Sequence, residues 1–550
     1  MIRRLPAFLC RYPLAAATLL VAWALCAVPA EAAKVVVNCR QPGQSIGAVL
    51  TTNTDPDLLI IVKGTCVENV VIERDDVTIT TNGVGAATIQ AADTTLPAIR
   101  LDGAHRVVID GVVPNGLSVK GGTFGISASR GSTLEVKNCA VTAASNTGII
   151  SSYGSDVSVD ACSVTGNGNG VTVANSSSLS VSSSTISNNA GNGILATRSS
   201  YVRVGQDHGG TSTLRPVTVS TNAATNIAIT EGSSGNVVGG TVEAAGGTNI
   251  FVGRASSGQI GLGSNNLTGG VVVRNGVTGI SVEGGNATIL LSTITGNAAD
   301  GVVISNAGSA RIGILNGNTA YGGNTISGNV TGIGVFQSGA AYIGGNAIDA
   351  NTGFGVNVGG ANTSLVGGNT ISNNGQTGVF VRAGQVLIGD TGFGLPIENT
   401  ISGNGATGPN NGGIFAYQNG SIQVANATIS GNVGAAVQSF EAGVIELRGS
   451  TTVTVPPGAT TVGAIIQFGS TFRVRDTVSI VSSTSHGIQA TNLSSVNIRD
   501  GNTVQGNGPG AFGVQCFNTA PMTASAATLT GNLSAVSGAA GASAGCNAFP

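Results

Sequence analysis

The stretch Gly323-Asn-Thr-Ile-Ser-Gly-Asn329 returns along the chain as Gly368-Asn-Thr-Ile-Ser-Asn-Asn374, Asn399-Thr-Ile-Ser-Gly-Asn404 and Ala427-Thr-Ile-Ser-Gly-Asn432. Each copy holds one apolar residue followed three places later by Asn. The apolar column extends through Val141, Val164, Ile186, Ile294, Ile326, Ile348, Ile371, Ile401, Ile429, Val504 and Leu529. Its closest-spaced members lie 22 or 23 residues apart, and the wider gaps hold Gly/Pro/Asn-rich insertions. The asparagine column reads Asn167, Asn189, Asn297, Asn329, Asn351, Asn374, Asn404, Asn432, Asn507 and Asn532. A few residues on, Gly precedes Ile or Val, as at Gly193-Ile194, Gly332-Ile333, Gly378-Val379 and Gly487-Ile488. Three columns in phase mark a repeat architecture.

Within each repeat lie short alternating stretches such as Tyr201-Val-Arg-Val204 and Ser495-Val-Asn-Ile-Arg499, which read as strands with one buried face. No tight two-residue turn joins them into hairpins. The period suits one turn of a coil made of three short strands and three bends, stacked at about 4.8 Å into parallel sheets. The Ile column then becomes an aliphatic stack, worth roughly 1.5–3 kcal/mol per fully buried side chain before entropy. The Asn column is expected at a bend, where Asn tolerates a left-handed backbone and its amide can bond to neighbouring coils.

On these elements the chain resembles secreted right-handed parallel β-helix proteins of the pectin-lyase-like superfamily. The resemblance covers most of residues 65–535, and Gly64-Thr-Cys-Val-Glu-Asn-Val-Val-Ile-Glu-Arg-Asp-Asp-Val-Thr-Ile79 resembles the first coil of bacterial members. It implies an all-β, right-handed parallel β-helix solenoid and no particular activity, since such folds carry pectate lyases, polygalacturonases, uronan epimerases and phage tailspikes.

The chain has 550 residues, with Lys+Arg 23 against Asp+Glu 25 and Gly 86. A basic face for nucleic acid is missing. The basic start, the apolar run Leu14–Val28 and Ala30-Glu31-Ala32 read as a secretory signal peptide over residues 1–32, and no later run is long enough to span a bilayer. The expected location is secreted, periplasmic or cell-surface. Residues 33–64 should form an N-terminal cap and first strand. Ser45 there N-caps a short helix with Ile46, Val49 and Leu50 on one face. Residues 65–535 form the solenoid and 536–550 a C-terminal tail. Six cysteines follow the leader. Bridges are expected for Cys39 with Cys66 and for Cys516 with Cys546. Cys139 and Cys162 lie one coil apart, which suits either a bridge or a buried stack of free thiols.

The family's catalytic motifs fail. Asn53-Thr-Asp55 stands near the cap without a Gly-His-Gly, Asp55-Pro-Asp57 lacks the histidine of an epimerase, and Arg74-Asp75-Asp76 more simply caps a coil. No metal site is expected, with His 3 and no Cys-x-x-Cys, and calcium would enter only for a lyase. Two weaker constellations remain. Arg448, Arg475 and Arg499 align on three successive coils, as a groove for an acidic polysaccharide or as a solvated face paired with Asp476 and Asp500. Asp207 and His208 stand in the insertion after Tyr201–Val204, where a carboxylate beside a histidine could serve acid–base chemistry. Aromatic content is 4%, which argues against stacking platforms for neutral sugars. The sequence thus supports a structural or adhesive solenoid, a polysaccharide-binding one, or an acidic-polysaccharide lyase, hydrolase or epimerase.

Overall fold

The computed structural model describes residues 33–83, 86–207, 213–253, 255–315, 322–389, 398–406, 411–457, 461–499, 501–507, 509–517, 521–524, 528–530 and 547–549. The expected leader, His208, Asp500, Asn532 and Cys546 lie outside these residues.

One turn of the chain runs through Thr325–Ser327, Thr331–Phe336 and Ala340–Gly344, and the next begins at Ala347–Asp349. Each strand pairs in parallel with its counterpart one turn on, which builds three long parallel sheets. We term them B (holding Thr325–Ser327), C (Thr331–Phe336) and A (Ala340–Gly344). The result is an all-β, right-handed parallel solenoid of about 19 turns. The Ile column stacks in register, Ile326 on Ile348, Ile371, Ile401 and Ile429, each 0% exposed. β-branched side chains suit this geometry because their stiff χ1 packs well on a pleated surface.

The asparagines sit at the corner between sheets B and C. The left-handed backbone falls one residue earlier than expected, on Gly328 (φ 66°), Asn373 (φ 52°), Gly403 (φ 67°) and Gly431 (φ 64°). That placement turns the following Asn side chain into the coil. The backbone N–H and Nδ2 of Asn329 both donate to Oδ1 of Asn351 (3.1 and 3.1 Å), and Asn351 donates likewise to Asn374 (3.1 and 2.9 Å). The same pattern continues through Asn404 to Asn432. Upstream the chain of amides runs from Asn167 through Asn189, Asn222, Asn226, Asn249 and Asn297. Asn507 does not belong to it. It is exposed, and its Oδ1 accepts from the Gln505 amide on its own coil.

The other two corners carry ladders of their own. Between sheets A and B, Asn324 donates to Asn346, Asn346 to Asn369 and Asn369 to Asn399. Between C and A, the Ser155 N–H donates to Ser177 Oγ, Ser177 N–H to Ser200 Oγ and Ser200 N–H to Ser233 Oγ. The Gly-Ile/Val motif has a steric origin. A Cβ on Gly332 would lie 2.5 Å from the Gly355 oxygen and 2.6 Å from Ile348 Cγ2, so only Gly lets the next coil's Ile and Asn close underneath.

At the N-terminal end the helix Ile46–Thr52 plugs the core. Ser45 accepts from the Ala48 N–H, and the Glu68 carboxylate accepts from the N–H groups of Ile46 and Gly47. A carboxylate there also complements the helix dipole. Ile46 is fully buried, with Val49 and Leu50 packed on the core. Cys39 is bonded to Cys66, tying this cap to the first coil. Cys516 is disulfide-bonded as well.

Cys139 and Cys162 are free, buried thiols rather than a bridge. They occupy the A–B corner position that Asn324 and Asn346 fill elsewhere: Cys139 N–H donates to Cys162 Sγ (3.4 Å), and Cys162 N–H to Ser184 Oγ (3.0 Å). In-register neighbours on parallel strands hold their side chains about 4.8 Å apart, wider than the 3.5–4.5 Å Cβ separation of a disulfide. The hydrogen bond with Cys162 and burial push the Cys139 thiol well above its ordinary range.

Two outcomes follow. Asn351→Ala orphans the Asn329 donors and should cost about 2–4 kcal/mol in urea unfolding, whereas the exposed Asn507→Ala should stay within about 0.5 kcal/mol. Iodoacetamide should leave Cys139 and Cys162 unmodified in the native protein and alkylate both after unreduced denaturation. Mass spectrometry should find Cys39 and Cys66 unmodified in either state.

Candidate functional site

Outward side chains of sheet A line up across turns as strictly as the inward ones. The strands Tyr201–Val204, Ser234–Val237, Ser257–Ile260, Asn286–Ile289, Ser309–Ile312 and Ala340–Gly344 place Arg203, Asn236, Gln259, Thr288, Arg311 and Tyr342 in one column. Beside it runs Tyr201, Ser234, Ser257, Asn286 and Ser309. A cleft of about 470 Å³ follows these strands, with Tyr201 towards one end and Tyr342 at the other. Hydroxyls and amides dominate its lining, and Arg311 is the charged residue among the described ones.

The connections from sheet A to sheet B carry insertions at residues 205–216, 261–271, 313–323 and 389–398, and of these 261–271 is described throughout. Residues 261–271 fold back over sheet A. There Asn236 Nδ2 donates to the Tyr201 hydroxyl (3.1 Å) and Ser264 Oγ (3.3 Å), and the Tyr201 and Ser264 hydroxyls lie 3.2 Å apart. The fully buried Gln206 clamps the loop from below, donating to the Ser264 oxygen and accepting from its N–H. A phenol thus held by two partners is a fixed platform rather than a swinging one. Single-sequence reading missed this cleft because its lining residues are ordinary Ser, Asn, Gln and Thr. Only the register of six coils makes them a surface.

The expected arginine column lies on sheet A farther along. The strands Val444–Arg448, Thr471–Val474 and Ser495–Ile498 are in register, and the N–H groups of Arg475 and Arg499 donate to Leu447 and Val474. The counter-charge is Glu446, however. It is 15% exposed and lies between Arg473 (3.8 Å) and Arg475 (3.5 Å). The Asp476 carboxylate accepts from the Gly449 N–H, and Asp476 sits at a left-handed turn of its own. Asp207 is described, with its N–H donating to the Thr213 oxygen, while His208 lies outside the described residues.

At the first coils, Arg74 donates to the backbone oxygens of Asn53 and Asp55. Asp75 and Asp76 pair with Arg106, which holds the Asp76 carboxyl below its usual range. That cluster closes the coil. The His/Cys/Asp/Glu grouping that lies close enough for a metal among the described residues is Cys39, Cys66 and Glu68, and its cysteines are joined to each other.

The family described as a right handed beta helix region matches residues 88–208 and 278–452, more than half of the chain. No curated protein matches it.

His486 reports on the last coils. Its ring stacks on Phe512 (centroids 5.8 Å apart) and its Nδ1 accepts from the Phe512 N–H (3.0 Å), which requires the neutral form. Burial lowers its pKa from the ordinary 6.5. The unfolded chain therefore takes up the proton first. This stabilisation is complete above pH 6.5 and is lost as pH falls through the depressed folded value. Thermal unfolding followed between about pH 8 and pH 5 should show a smaller acid-side loss for His486→Gln than for the parent.

Proposed function

We propose that this chain, which belongs to the right-handed β-helix family, is an exported scaffold that holds an extended, acidic polysaccharide along sheet A. The observation that carries the reading is the six-coil cleft between Tyr201 and Tyr342. Its hydroxyl and amide groups repeat at the coil spacing of about 4.8 Å, so a strand laid parallel to the axis meets an equivalent row of partners at every turn. Tyrosine rings offer flat faces with a polar edge. Arg311 supplies a fork suited to a carboxylate or sulfate. The cleft's described lining offers hydrogen bonds, stacking and one cation, which are the means of retention rather than of bond cleavage.

Export is supported by the leader over residues 1–32 and by the Cys39–Cys66 bridge, since such bridges persist in oxidising compartments.

Affinity electrophoresis of the purified chain in gels containing polygalacturonate, alginate or heparin tests the proposal. Retardation by at least one polymer is expected. Arg311→Ala and Tyr342→Ala should each weaken it about tenfold, equivalent to about 1.4 kcal/mol, with the arginine contribution falling as salt rises. Unsaturated products or new reducing ends, measured with and without calcium, would replace retention by turnover. Equal mobility of parent and variants in all three gels would end the reading.

A further inference from the structure

Six of the chain's aromatics gather in one place. On the outer face of sheet C, the strands Val379–Arg382, Ile414–Tyr417 and Val437–Phe440 set Phe380 beside Phe415, and Arg382 beside Tyr417 and Phe440. The rings form a continuous strip from Phe354 to Phe468. Centroids lie 4.9 Å apart for Phe354 and Phe380, 5.4 Å for Phe380 and Phe415, 5.8 Å for Phe415 and Tyr417, 6.0 Å for Tyr417 and Phe440, and 4.6 Å for Phe440 and Phe468. The Arg382 guanidinium covers one side of Tyr417 at 6.0 Å. This corrects the expectation, drawn from composition, that the chain lacks stacking platforms.

Within the strip a cavity of about 220 Å³ opens between Phe415, Tyr417, Phe440 and Ile465. Gln438 also lines it, in register between Phe415 and Ile465. That glutamine is 7% exposed as a whole, and its amide atoms are not buried: they reach solvent through the cavity. The contrast with the same column two turns on is informative. Gln489 Nε2 donates to Gln515 Oε1 (2.9 Å), because there the next coil supplies a matching amide. Phe415 and Ile465 can offer Gln438 nothing of the kind. An amide that meets water in the open cavity is stripped of it by any guest, at a cost of about 1–3 kcal/mol unless the guest brings hydrogen bonds of its own.

We propose that this cavity is a second binding site, independent of sheet A, which takes a neutral pyranose unit of a glycan. The described lining residues are uncharged. A sugar ring presents apolar C–H faces to the rings of Phe415, Tyr417 and Phe440, and its hydroxyl edge to the donors and acceptor of Gln438. An aliphatic or aromatic guest would fill the same space and leave the amide unpaired. Phe380 and Phe354 on one side and Phe468 on the other continue the platform along the axis, so a chain of sugars can lie across several coils.

The test is isothermal titration of the full chain with cellohexaose, xylohexaose and mannohexaose. At least one should bind, with an affinity unaffected by added salt because no ion pair is involved. Gln438→Leu keeps the size and adds an apolar side chain beside Ile465, so it should fold with an unchanged or higher melting temperature. It should nevertheless bind at least tenfold more weakly. Phe415→Ala should remove binding. The proposal is overturned if none of the three sugars binds, if Gln438→Leu binds as tightly as the parent, or if the parent sediments as a dimer that Phe415→Ala dissociates, since the strip would then be an interface between two copies.

Discussion

Everything in this molecule depends on coil-to-coil hydrogen bonding in strict register. A parallel strand of three or four residues has almost no stability of its own; it persists because identical partners lie above and below it. The corners are the difficult places, since a turn buried inside a stack strands its polar groups. Here each of the three corners solves the problem with a side chain that imitates the backbone, Asn at two and Ser at the third. The oxygen of a ladder asparagine such as Asn351 accepts two donors from the coil before. Its Nδ2 and backbone N–H then both donate to the asparagine of the coil after, while Nδ2 also donates to a carbonyl of the coil before. No water is needed to complete it.

Once register is secured, the outer faces become periodic surfaces without further cost. Inward positions are mostly Ile and Val. Outward positions are free to vary, and the two faces have diverged: sheet A presents hydroxyls, amides and arginines, while sheet C over residues 354–468 presents aromatic rings. Insertions follow the same rule. Four of them fall in connections from sheet A to sheet B, where they can lengthen without disturbing the B–C ladder.

The fold was legible because its cause is local and repeated. Ile326, Asn329 and Gly332 each have a steric or hydrogen-bonding reason to recur at 22 or 23 residues, and the recurrence itself reveals the coil. Cys139 and Cys162 were half legible. Their spacing marked one turn, but whether their sulfurs bond depends on the separation of parallel Cβ atoms, which spacing does not contain. Asn507 was misread because a matching offset from Val504 does not guarantee an inward corner. The binding faces were the least legible. Gln438 or Tyr342 carries no signature of its own, and each matters only through neighbours a full turn away. The arginine column shows the reverse error: Arg448, Arg475 and Arg499 were seen to align, but Glu446 lies outside the column and was not weighed against them.

The asparagine ladder also gives the rod a direction. From Asn167 to Asn432 almost every side-chain amide points the same way, its nitrogen towards the C-terminal coil and its oxygen towards the N-terminal one. The ladder from Asn324 to Asn399 runs in parallel with it. Aligned amide dipoles add and polarise one another. The interior is therefore an electrically polar filament: one end terminates in an acceptor, which the Ala144 N–H satisfies at Asn167, and the other in the donors of Asn432. A stack built this way has a head and a tail, and a coil added in the reverse sense would meet donor with donor.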